Sequence, residues 1–520
     1  MSNRPSDIEA EQYLRLAIDL APGNASHYAN FAFLLDADGR RDEAEYYYRE
    51  AVTREANSPG YRLILADFLA NSPTAEHIAE AKAIYLDVLT LLPTHHAAWS
   101  NLGALLFKTG YISAAQTAYT AAIAYCPGDA TLHASLARIA LYLENLDIAK
   151  KHFLHAIALD PALAEAHQGL ACIFHRQNQE MEAQFHRDKG FGSTPIVTLP
   201  WHGRNRPRPL LILTSAMEGN IPWRLLVDQD VYQSTIATVE YLERPQQLDL
   251  ATYSLIFNAI GDADLCRSAL ETAECLLAKM PSPAINAPAA VLCTGRLENS
   301  LRLSRLPGVT TPRMIPVSKT DIDSGLCLQR LTRNGWNFPL LLRAPGFHGG
   351  NHFVRAESPD VLRQAAHGLP GENLLAVEWL DAGDEDARFR KYRVMIIDGV
   401  LYPLHMAIST QWKVHYFSSD MKDSLPYREQ EQAFLQDFTA ALGASAVSGL
   451  QQVAQTLGLD YCGIDFGLDS SGRVLLYEAN ATMAIVPPDH DPCWDYKRIS
   501  IDNALAAVKA MFAKRMSLQV

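Results

Sequence analysis

The sequence predicts a multidomain protein in which an all-α repeat solenoid precedes an α/β domain and a larger α+β domain. Three observations support this fold class. A pattern of 34 residues recurs within residues 1–190. Short apolar runs then alternate with an amphipathic helical pattern, which is typical of an α/β layer. From about residue 312 onward, strand patterns follow one another across short turns, which is typical of an antiparallel sheet.

The repeat is defined by spacing and by side-chain size. Prolines at positions 93, 127 and 161 lie 34 residues apart. Between them, residues of matching size recur: Trp99, Leu102, Gly103, Ala115, Tyr119 and Ala122 correspond to His133, Leu136, Ala137, Ala149, Phe153 and Ala156. Small residues at the position of Gly103 let two antiparallel helices approach closely, and the proline ends the second helix. This pattern resembles the tetratricopeptide repeat.

About five repeats are expected in residues 1–190, and two of them are atypical. One atypical unit carries extra residues around "NSPTAE", and the segment before Pro22 resembles the second helix of a truncated repeat. Arrays of this kind stack into a curved solenoid whose concave face usually holds a peptide or protein. The alternative is a spacer or a dimerisation element, which would make the protein a homodimer.

Charge and cysteine content limit the class of protein. The net charge of −13 argues against broad binding to nucleic acid or to anionic membranes. The eight cysteines form no C-x-x-C pair, so neither a zinc site nor a disulfide framework is predicted. The first residues lack the apolar core of a signal peptide, and no apolar run approaches the ~18 residues of a membrane span. We therefore expect a soluble, cytoplasmic protein.

Glycine, proline and arginine crowd residues 191–209, which is typical of a linker. The run "LLILTS" (210–215) then predicts a buried strand. Further apolar runs, "ATVEYL", "YSLIFNAIG" and "AAVLCTG", surround the amphipathic helical pattern "DLCRSALETAECLLAKM". Residues 210–316 are therefore predicted to form an α/β domain with parallel strands.

Residues 317–516 are strand-rich. Strand patterns occur in "FPLLLRAPG", "NLLAVEWLD", "KYRVMIIDGVLYPLHMAI" and "YCGIDFGLDSSGRVLLYEAN". The segments "DGV" (398–400) and "SSG" (470–472) are typical of hairpin turns. Two helical patterns, "EQEQAFLQDFTAALGA" and "SGLQQVAQTLG", precede the last strand pair. This order predicts an antiparallel sheet backed by helices.

Two carboxylates and an amide interrupt the last pair of apolar strands. Asp465 precedes Glu478 by 13 residues, a spacing that an antiparallel hairpin can fold back on itself. Glu478 and Asn480 are two residues apart, so they point to the same face of one strand. Carboxylate and amide oxygens suit a hard cation such as Mg²⁺. We predict that these three residues are metal ligands; the alternative is that each is separately capped or exposed at a strand edge.

Residues 208 to 516 resemble an ATP-grasp ligase, similar to D-alanine–D-alanine ligase and to ligases of the ribosomal-protein glutamate and glutathione-synthase types. The resemblance implies a pre-ATP-grasp α/β domain followed by an ATP-grasp fold, in which ATP lies between two α+β lobes. Five segments match in order: "RLSRLPGVTTP", "FPLLLRAPGFHGGNHFVR", "LLAVEWLD", "KYRVMIIDG" and "GIDF…YEAN". Each segment is weakly specific alone, and the ordered set is much more specific.

The resemblance implies roles for residues along this order, with ATP and Mg²⁺ as the bound groups. The residues expected at the phosphates are Arg296, Arg343, Gly346, His348, Gly349 and Gly350. The hinge that meets adenine and ribose comprises Glu378, Trp379, Leu380 and Asp381. Arg393 would stabilise charge on the transferring phosphoryl group and is the predicted catalytic residue. A surface salt bridge is the alternative for either Arg343 or Arg393.

Two departures from the family bear on function. The family usually has lysine at the positions of Arg343 and Arg296, and arginine is not equivalent to the compact charge of lysine. The segment "LYPLHMAISTQWKVHYF" on the substrate side also differs, so the acceptor is not defined. The leading hypothesis is an ATP-dependent carboxylate–amine ligase that joins a small amine or carboxylate to a peptide or protein recruited by the repeats. The alternatives are a nucleotide-binding scaffold with a degenerate ATP-grasp domain and an ATP-grasp kinase.

Overall fold

The structure is a computed structural model that describes residues 5–72, 74–201, 206–242, 248–278, 284–347, 350–383, 388–416, 419–488 and 490–517. The chain divides into two compact units. The first holds the residues up to His175 together with Glu180–Leu210 and Asp228–Thr235. The second holds Arg176–Gln179, Leu211–Val227 and the residues from Ile236 onward.

Helices are the regular elements of the described chain up to Phe191. They are α1 (Pro5–Leu20), α2 (Ala25–Ala37), α3 (Arg41–Arg54), α4 (Pro59–Ala70), α5 (Ala75–Leu91), α6 (His96–Lys108), α7 (Ile112–Tyr125), α8 (Ala130–Tyr142), α9 (Leu146–Leu159), α10 (Ala164–Arg176) and α11 (Glu180–Phe191). Consecutive helices from α1 to α9 pack against each other. The helical repeat prediction is confirmed, and α1 occupies the segment in which the sequence predicts the second helix of a truncated repeat.

The positions that recur at 34 residues are the positions that pack. Ala115, Tyr119 and Ala122 on α7 are almost fully buried, as are their equivalents on α9, Ala149, Phe153 and Ala156. A Cβ added to Gly103 would lie 3.1 Å from the Tyr119 ring, so a larger side chain at this position would push α6 and α7 apart. The sequence period therefore reflects one packing contact made again in each repeat.

The first sheet begins after the helices. Its strands are β1 (Ile196–Thr198), β2 (Arg208–Thr214), β3 (Tyr232–Thr238), β4 (Leu255–Asn258) and β5 (Ala284–Ile285), in the order β1-β3-β2-β4-β5. The helices that follow β4 are α12 (Arg267–Leu277), α13 (Pro288–Leu292) and α14 (Arg296–Leu303). Strands β4 and β5 pair in parallel. The run "AAVLCTG" is mostly helical in α13, because Pro288 at the first turn favours a helix start.

A four-stranded antiparallel sheet forms next, in the order β7-β10-β8-β9. Its strands are β7 (Met314–Ser318), β8 (Leu340–Arg343), β9 (Phe353–Ala356) and β10 (Asn373–Glu378), and its helices are α15 (Lys319–Asp323), α16 (Leu326–Arg333) and α17 (Pro359–Gly368). Side chains such as Leu342, Leu362 and Ala376 form a core between sheet and helices.

The last sheet has the order β12-β11-β13-β14-β6. Its strands are β6 (Val309–Thr310), β11 (Phe389–Ile397), β12 (Val400–Ser409), β13 (Tyr461–Leu468) and β14 (Val474–Asn480). Its helices are α18 (Leu425–Gln436), α19 (Phe438–Leu442), α20 (Ala444–Leu457) and α21 (Arg498–Ser517). Asp398 and Gly399 both have positive φ between β11 and β12, as a tight hairpin turn requires. Both predicted hairpins are present.

Asn286 connects the first sheet to the last one. Its backbone N–H donates to Asp460 Oδ2 at 2.8 Å, and its side-chain Nδ2 donates to the Tyr461 carbonyl at 2.8 Å. The Tyr461 N–H donates back to Asn286 Oδ1 at 2.9 Å. The first residue of β13 is therefore held by hydrogen bonds to the segment after β5. Within the described ranges, no helix is both long enough and apolar enough to cross a membrane.

Candidate functional site

A cavity of about 250 Å³ brings most of the predicted site residues together. It is lined by residues from β8, β10, β11, β13 and β14, by the segment after β10, and by the segment after β12. Arg296, Arg343, Arg393, Asp465 and Glu478 all line it. These residues are far apart in sequence, and the last two sheets together with α14 bring them to one place.

Strand register aligns three charged residues across β11, β13 and β14. Arg393 lies opposite Asp465, and Asp465 lies opposite Glu478. Residues that face each other across antiparallel strands share one side of the sheet. The pairing shifts by one residue directly after Arg393 on the β12 side and directly after Asp465 on the β14 side. Bulges of this kind turn side chains locally and occur often beside functional sites.

Asp465 is held by two cations. Arg393 donates from Nε to Oδ1 at 2.6 Å and from Nη2 to Oδ2 at 2.9 Å. Lys391 Nζ lies 3.2 Å from Oδ2. Only 4% of Asp465 is exposed; burial by itself would raise its pKa, but the charges of Arg393 and Lys391 hold the pKa well below its ordinary value. Asp465 is therefore ionised at any physiological pH.

Glu478 and Asn480 form a second hydrogen-bonded group. Asn480 Nδ2 donates to Glu478 Oε1 at 2.9 Å, and Arg296 Nη2 donates to the same oxygen at 3.1 Å. Asn480 Oδ1 accepts from the backbone N–H of Thr482 at 3.0 Å and from its hydroxyl at 2.8 Å. Each predicted metal ligand is thus already engaged with protein groups. The facing carboxylates of Asp465 and Glu478 still present the oxygen donors that suit Mg²⁺.

Arg343 ends β8 with an incompletely satisfied guanidinium. One Nη donates to the Phe347 carbonyl, whereas the buried Nε has no hydrogen-bond partner among the described residues. Burial, and then the charge of Arg296, lower the pKa of Arg343 to about 10. Two arginines that repel each other at a cavity wall favour an anionic ligand.

The loop after β8 contains the predicted phosphate-binding glycines. Gly346 and Gly350 have positive φ, which favours glycine at both positions. A Cβ on Gly350 would lie 2.7 Å from Cε of Lys413. Lys413 lines the cavity, and burial followed by the charge of Arg343 lowers its pKa. His348 and Gly349 lie outside the described residues.

The predicted hinge begins at Glu378, the last residue of β10, and continues to Asp381. The side chain of Glu378 is bound by Arg313, whose Nη2 donates to Oε1 at 2.6 Å and whose backbone N–H donates to Oε2 at 3.0 Å. Asp381 Oδ1 accepts from the Gly383 N–H at 3.0 Å. Trp379 and Leu380 line the cavity. The carboxylates of the hinge thus fix the backbone locally.

Aromatic rings that the sequence reasoning did not identify surround Trp379. Its ring centroid lies 5.7 Å from that of Trp412 and 6.1 Å from that of Phe389. Phe353 lies 5.8 Å from Trp412 in turn. All four rings line the cavity. In the sequence, Trp379 directly follows β10 and Trp412 follows β12, whereas Phe353 begins β9 and Phe389 begins β11. No sequence pattern links these four positions, and only the fold brings them together.

Residues 130–163 match the tetratricopeptide repeat family. The N-terminal region contains a tetratricopeptide repeat. That repeat comprises α8 and α9, which carry the buried alanines and Phe153 at the expected positions. Repeats of this family suggest peptide or protein partners.

Several known proteins are similar to part of this chain. Protein FlbA of Caulobacter vibrioides is 30% identical over 105 residues, which cover 20% of this chain and 18% of FlbA. The chain thus matches less than a fifth of the length of that relative. MamA from Desulfovibrio magneticus RS-1 is 27% identical, with 32% of this chain and 93% of that chain covered and a TM-score of 0.29. YrrB, a TPR protein with an unusual peptide-binding site, is 20% identical, with 35% and 92% covered and a TM-score of 0.28.

Proposed function

We propose that the second half of the chain is an ATP-grasp carboxylate–amine ligase and that the tetratricopeptide-repeat region recruits its peptide or protein substrate. One observation carries the proposal. Arginines, facing carboxylates and an aromatic wall line one cavity, although they come from several strands, from α14 and from the segments after β10 and β12. ATP offers a matching partner for each of these features: phosphates, a chelated cation and a flat base.

The phosphate end of the nucleotide would lie at Arg343. Its buried Nε has no hydrogen-bond partner among the described residues, and burial together with the charge of Arg296 lowers its pKa, so a bound phosphate would stabilise the charged guanidinium. Lys413 packs against Gly350, which has positive φ, and adds a compact cation beside the Arg343 guanidinium. Arginine guanidinium groups together with a lysine can replace the pair of lysines that is usual in the ATP-grasp family, because phosphate oxygens accept hydrogen bonds from both kinds of donor. The adenine would stack among Trp379, Trp412 and Phe389.

Asp465 and Glu478 would hold the cation, with Asn480 orienting Glu478. Bound there, Mg²⁺ would offset phosphate charge and align the transferring phosphoryl group. A cation on these carboxylates would leave the guanidiniums of Arg393 and Arg296 able to bind phosphate oxygens instead. The ion pairs in the structure therefore keep both guanidiniums close to the place where negative charge develops.

The proposed reaction has two steps. An oxygen of the substrate carboxylate attacks the γ-phosphorus, the bond to the β–γ bridging oxygen breaks, and ADP leaves with that electron pair. The amine nitrogen of the second substrate then attacks the carbonyl carbon, the carbon–oxygen bond to phosphate breaks, and the amine proton passes to solvent. Arg393 would stabilise the charge in the first step.

Hydroxylamine provides a direct test. The full-length protein is incubated with Mg-ATP, the twenty amino acids and hydroxylamine, and the products are analysed by mass spectrometry. An acylphosphate would appear as a hydroxamate formed in equal amount to ADP. ADP release that is independent of added acid, without hydroxamate, contradicts the ligase proposal.

The second candidate function is a nucleotide-binding scaffold. The observation in its favour is that Asp465 is bound by both Arg393 and Lys391, which would compete with a metal ion. A scaffold would bind ATP with little dependence on Mg²⁺ and would form no hydroxamate. Calorimetry of ATP binding with and without Mg²⁺ therefore separates the two functions.

A further inference from the structure

A second cavity, of about 480 Å³, adjoins the first. Lys391, Arg393 and His415 line both cavities, so one wall is shared. The remaining walls come from β12, from the segment after it, from residues 484–488 and from the turn before α21. Its volume lies within the range of about 300–1,000 Å³ that is typical of small-molecule sites.

The charged groups on the wall of this cavity are cationic. Lys391, Arg393, Lys422 and Lys497 line it, and none of its described lining residues is a carboxylate. A cavity lined in this way attracts anions from solvent.

The nearby carboxylate of Glu431 does not line the cavity and is hydrogen-bonded to protein groups. Glu431 is fully buried; its Oε1 accepts from Lys497 Nζ at 3.1 Å and from the Met406 N–H at 3.1 Å. Its Oε2 accepts from the hydroxyls of Tyr416 and Tyr496. The charge of Lys497 is thereby balanced.

The surplus positive charge lies at the shared wall. Among the described residues, the ion pairs of Lys391 and Arg393 are both made with Asp465, and Glu478 adds a further negative charge near Arg393. Lys422 interacts with Asp491, which offsets its charge. An anionic group in the second cavity is therefore best placed next to Lys391 and Arg393, at the boundary with the first cavity.

Part of the cavity wall is apolar. Val486, Pro487 and Pro488 line it together with Met421 and the ring of Trp494. Val486 is 39% exposed although it is a large hydrophobic residue, and Pro487 beside it is exposed as well. Burial of such a surface by a ligand is favourable, whereas a polar ligand would gain nothing from it.

We propose that the second cavity binds the carboxylate substrate and that this substrate has an apolar body, aliphatic or aromatic. Its carboxylate lies against Lys391 and Arg393, and its body lies against Trp494 and Val486. The assignment rests on the proposed function, because the shared wall would bring the carboxylate next to the terminal phosphate of ATP. It adds the substrate class and names Trp494 and Val486 as specificity residues.

The test uses the full-length protein and two matched pairs of probes. 3-Phenylpropionate is compared with 3-phenylpropionamide, which lacks the charge, and hexanoate is compared with succinate, which lacks the apolar end. Binding is measured by calorimetry with and without a non-hydrolysable Mg-ATP analogue. We expect 3-phenylpropionate and hexanoate to bind at least about tenfold more tightly than their partners. Equal affinity within either pair overturns the proposal.

Substitutions locate the site. Val486→Asp adds a negative charge to the wall and should weaken 3-phenylpropionate binding at least about tenfold, whereas Val486→Asn should weaken it much less. Ile499→Asp adds the same charge at an exposed position outside the cavity and should have no effect. Equal affinities for Val486→Asp and Val486→Asn also overturn the proposal.

The outcomes separate this inference from the proposed function. Nucleotide binding and hydroxamate formation without apolar-acid binding overturn the substrate class alone. Apolar-acid binding that responds to Val486→Asp, without any hydroxamate, supports the cavity assignment and overturns the ligase proposal.

Discussion

Replacing Arg393 with alanine tests both the structural and the catalytic role of its guanidinium. The substitution removes two charged hydrogen bonds to Asp465, a carboxylate that is only 4% exposed. The carboxylate then keeps one cation, Lys391, at 3.2 Å. A buried charge that loses its main partner is strongly unfavourable.

The expected loss of stability follows from these contacts. A hydrogen bond to a charged group contributes about 1.5–3 kcal/mol, so the two bonds together contribute about 3–6 kcal/mol. Because Lys391 retains part of this, we expect Arg393→Ala to lower the free energy of unfolding of the second unit by about 3 kcal/mol. At roughly 2 °C per kcal/mol, the melting temperature of that unit should fall by about 6 °C.

Urea unfolding followed by tryptophan fluorescence is a suitable assay, because five of the seven tryptophans belong to the second unit. A double-mutant cycle combines Arg393→Ala with Asp465→Asn, which removes the carboxylate charge. The coupling energy should be about 2–3 kcal/mol. Arg363→Ala is the control: it breaks an exposed ion pair with Asp360 and should change stability by less than about 0.5 kcal/mol.

Activity completes this test. If Arg393 acts on the phosphoryl group, Arg393→Ala should lower turnover by roughly 10³-fold or more, with a much smaller effect on ATP affinity. Arg393→Lys should recover only part of the loss. A coupling energy near zero would refute the ion-pair reasoning, and near-normal turnover in a folded Arg393→Ala protein would refute the catalytic role.

Three further predictions concern the metal site and the repeats. Glu478→Gln should abolish the Mg²⁺ dependence of ATP binding in calorimetry, whereas Glu298→Gln, at an exposed position, should preserve it. Burial and the nearby His167 lower the pKa of His186 from 6.5 to about 4, so the unfolded chain takes up a proton that the folded chain excludes. The contribution of neutral His186 to the free energy of unfolding should therefore be fully present above pH 6.5. It should fall by about 2 kcal/mol, after allowance for solvent screening, as the pH drops towards 4. His186→Leu should remove this pH dependence in acid titrations followed by circular dichroism. Gly169→Ala should destabilise the repeats by about 1–3 kcal/mol in thermal unfolding, because the new Cβ would overlap the Phe153 ring, whereas Gly103→Ala should have a smaller effect.

The repeat helices could be predicted because their signal is local and periodic. Each helix pair buries the same small and aromatic positions. Ala115, Tyr119 and Ala122, which recur in the sequence, are therefore also the residues that are buried in the structure. The hairpin turns could also be predicted from the sequence, because Asp398 and Gly399 adopt a positive φ that few residue types tolerate. The helical state of "AAVLCTG" was not evident, because a short apolar run has no clear period.

The candidate site could be predicted only in part: Gly346, Asp381 and Asn480 do not line the cavity, whereas the unpredicted Phe353, Phe389 and Trp412 do. Asp465 and Glu478 were identified from a hairpin spacing, and the hairpin places them opposite each other. The partner of Asp465 lies 72 residues earlier, at Arg393, and the partner of Glu378 lies 65 residues earlier, at Arg313. Such pairs depend on which strands become neighbours, and strand order is not written in any local pattern.

The wall shared by the two cavities has a consequence for how their occupants influence each other. A ligand on either side of Lys391, Arg393 and His415 changes the electrostatic potential on the other side. Two anions would compete for the same cations and weaken each other, and a divalent cation held by Asp465 would reverse that sign. Thermodynamic linkage makes the effect equal in both directions. Titrating a nucleotide at several concentrations of an acid therefore measures the coupling free energy between binding in the two cavities, even when no product forms.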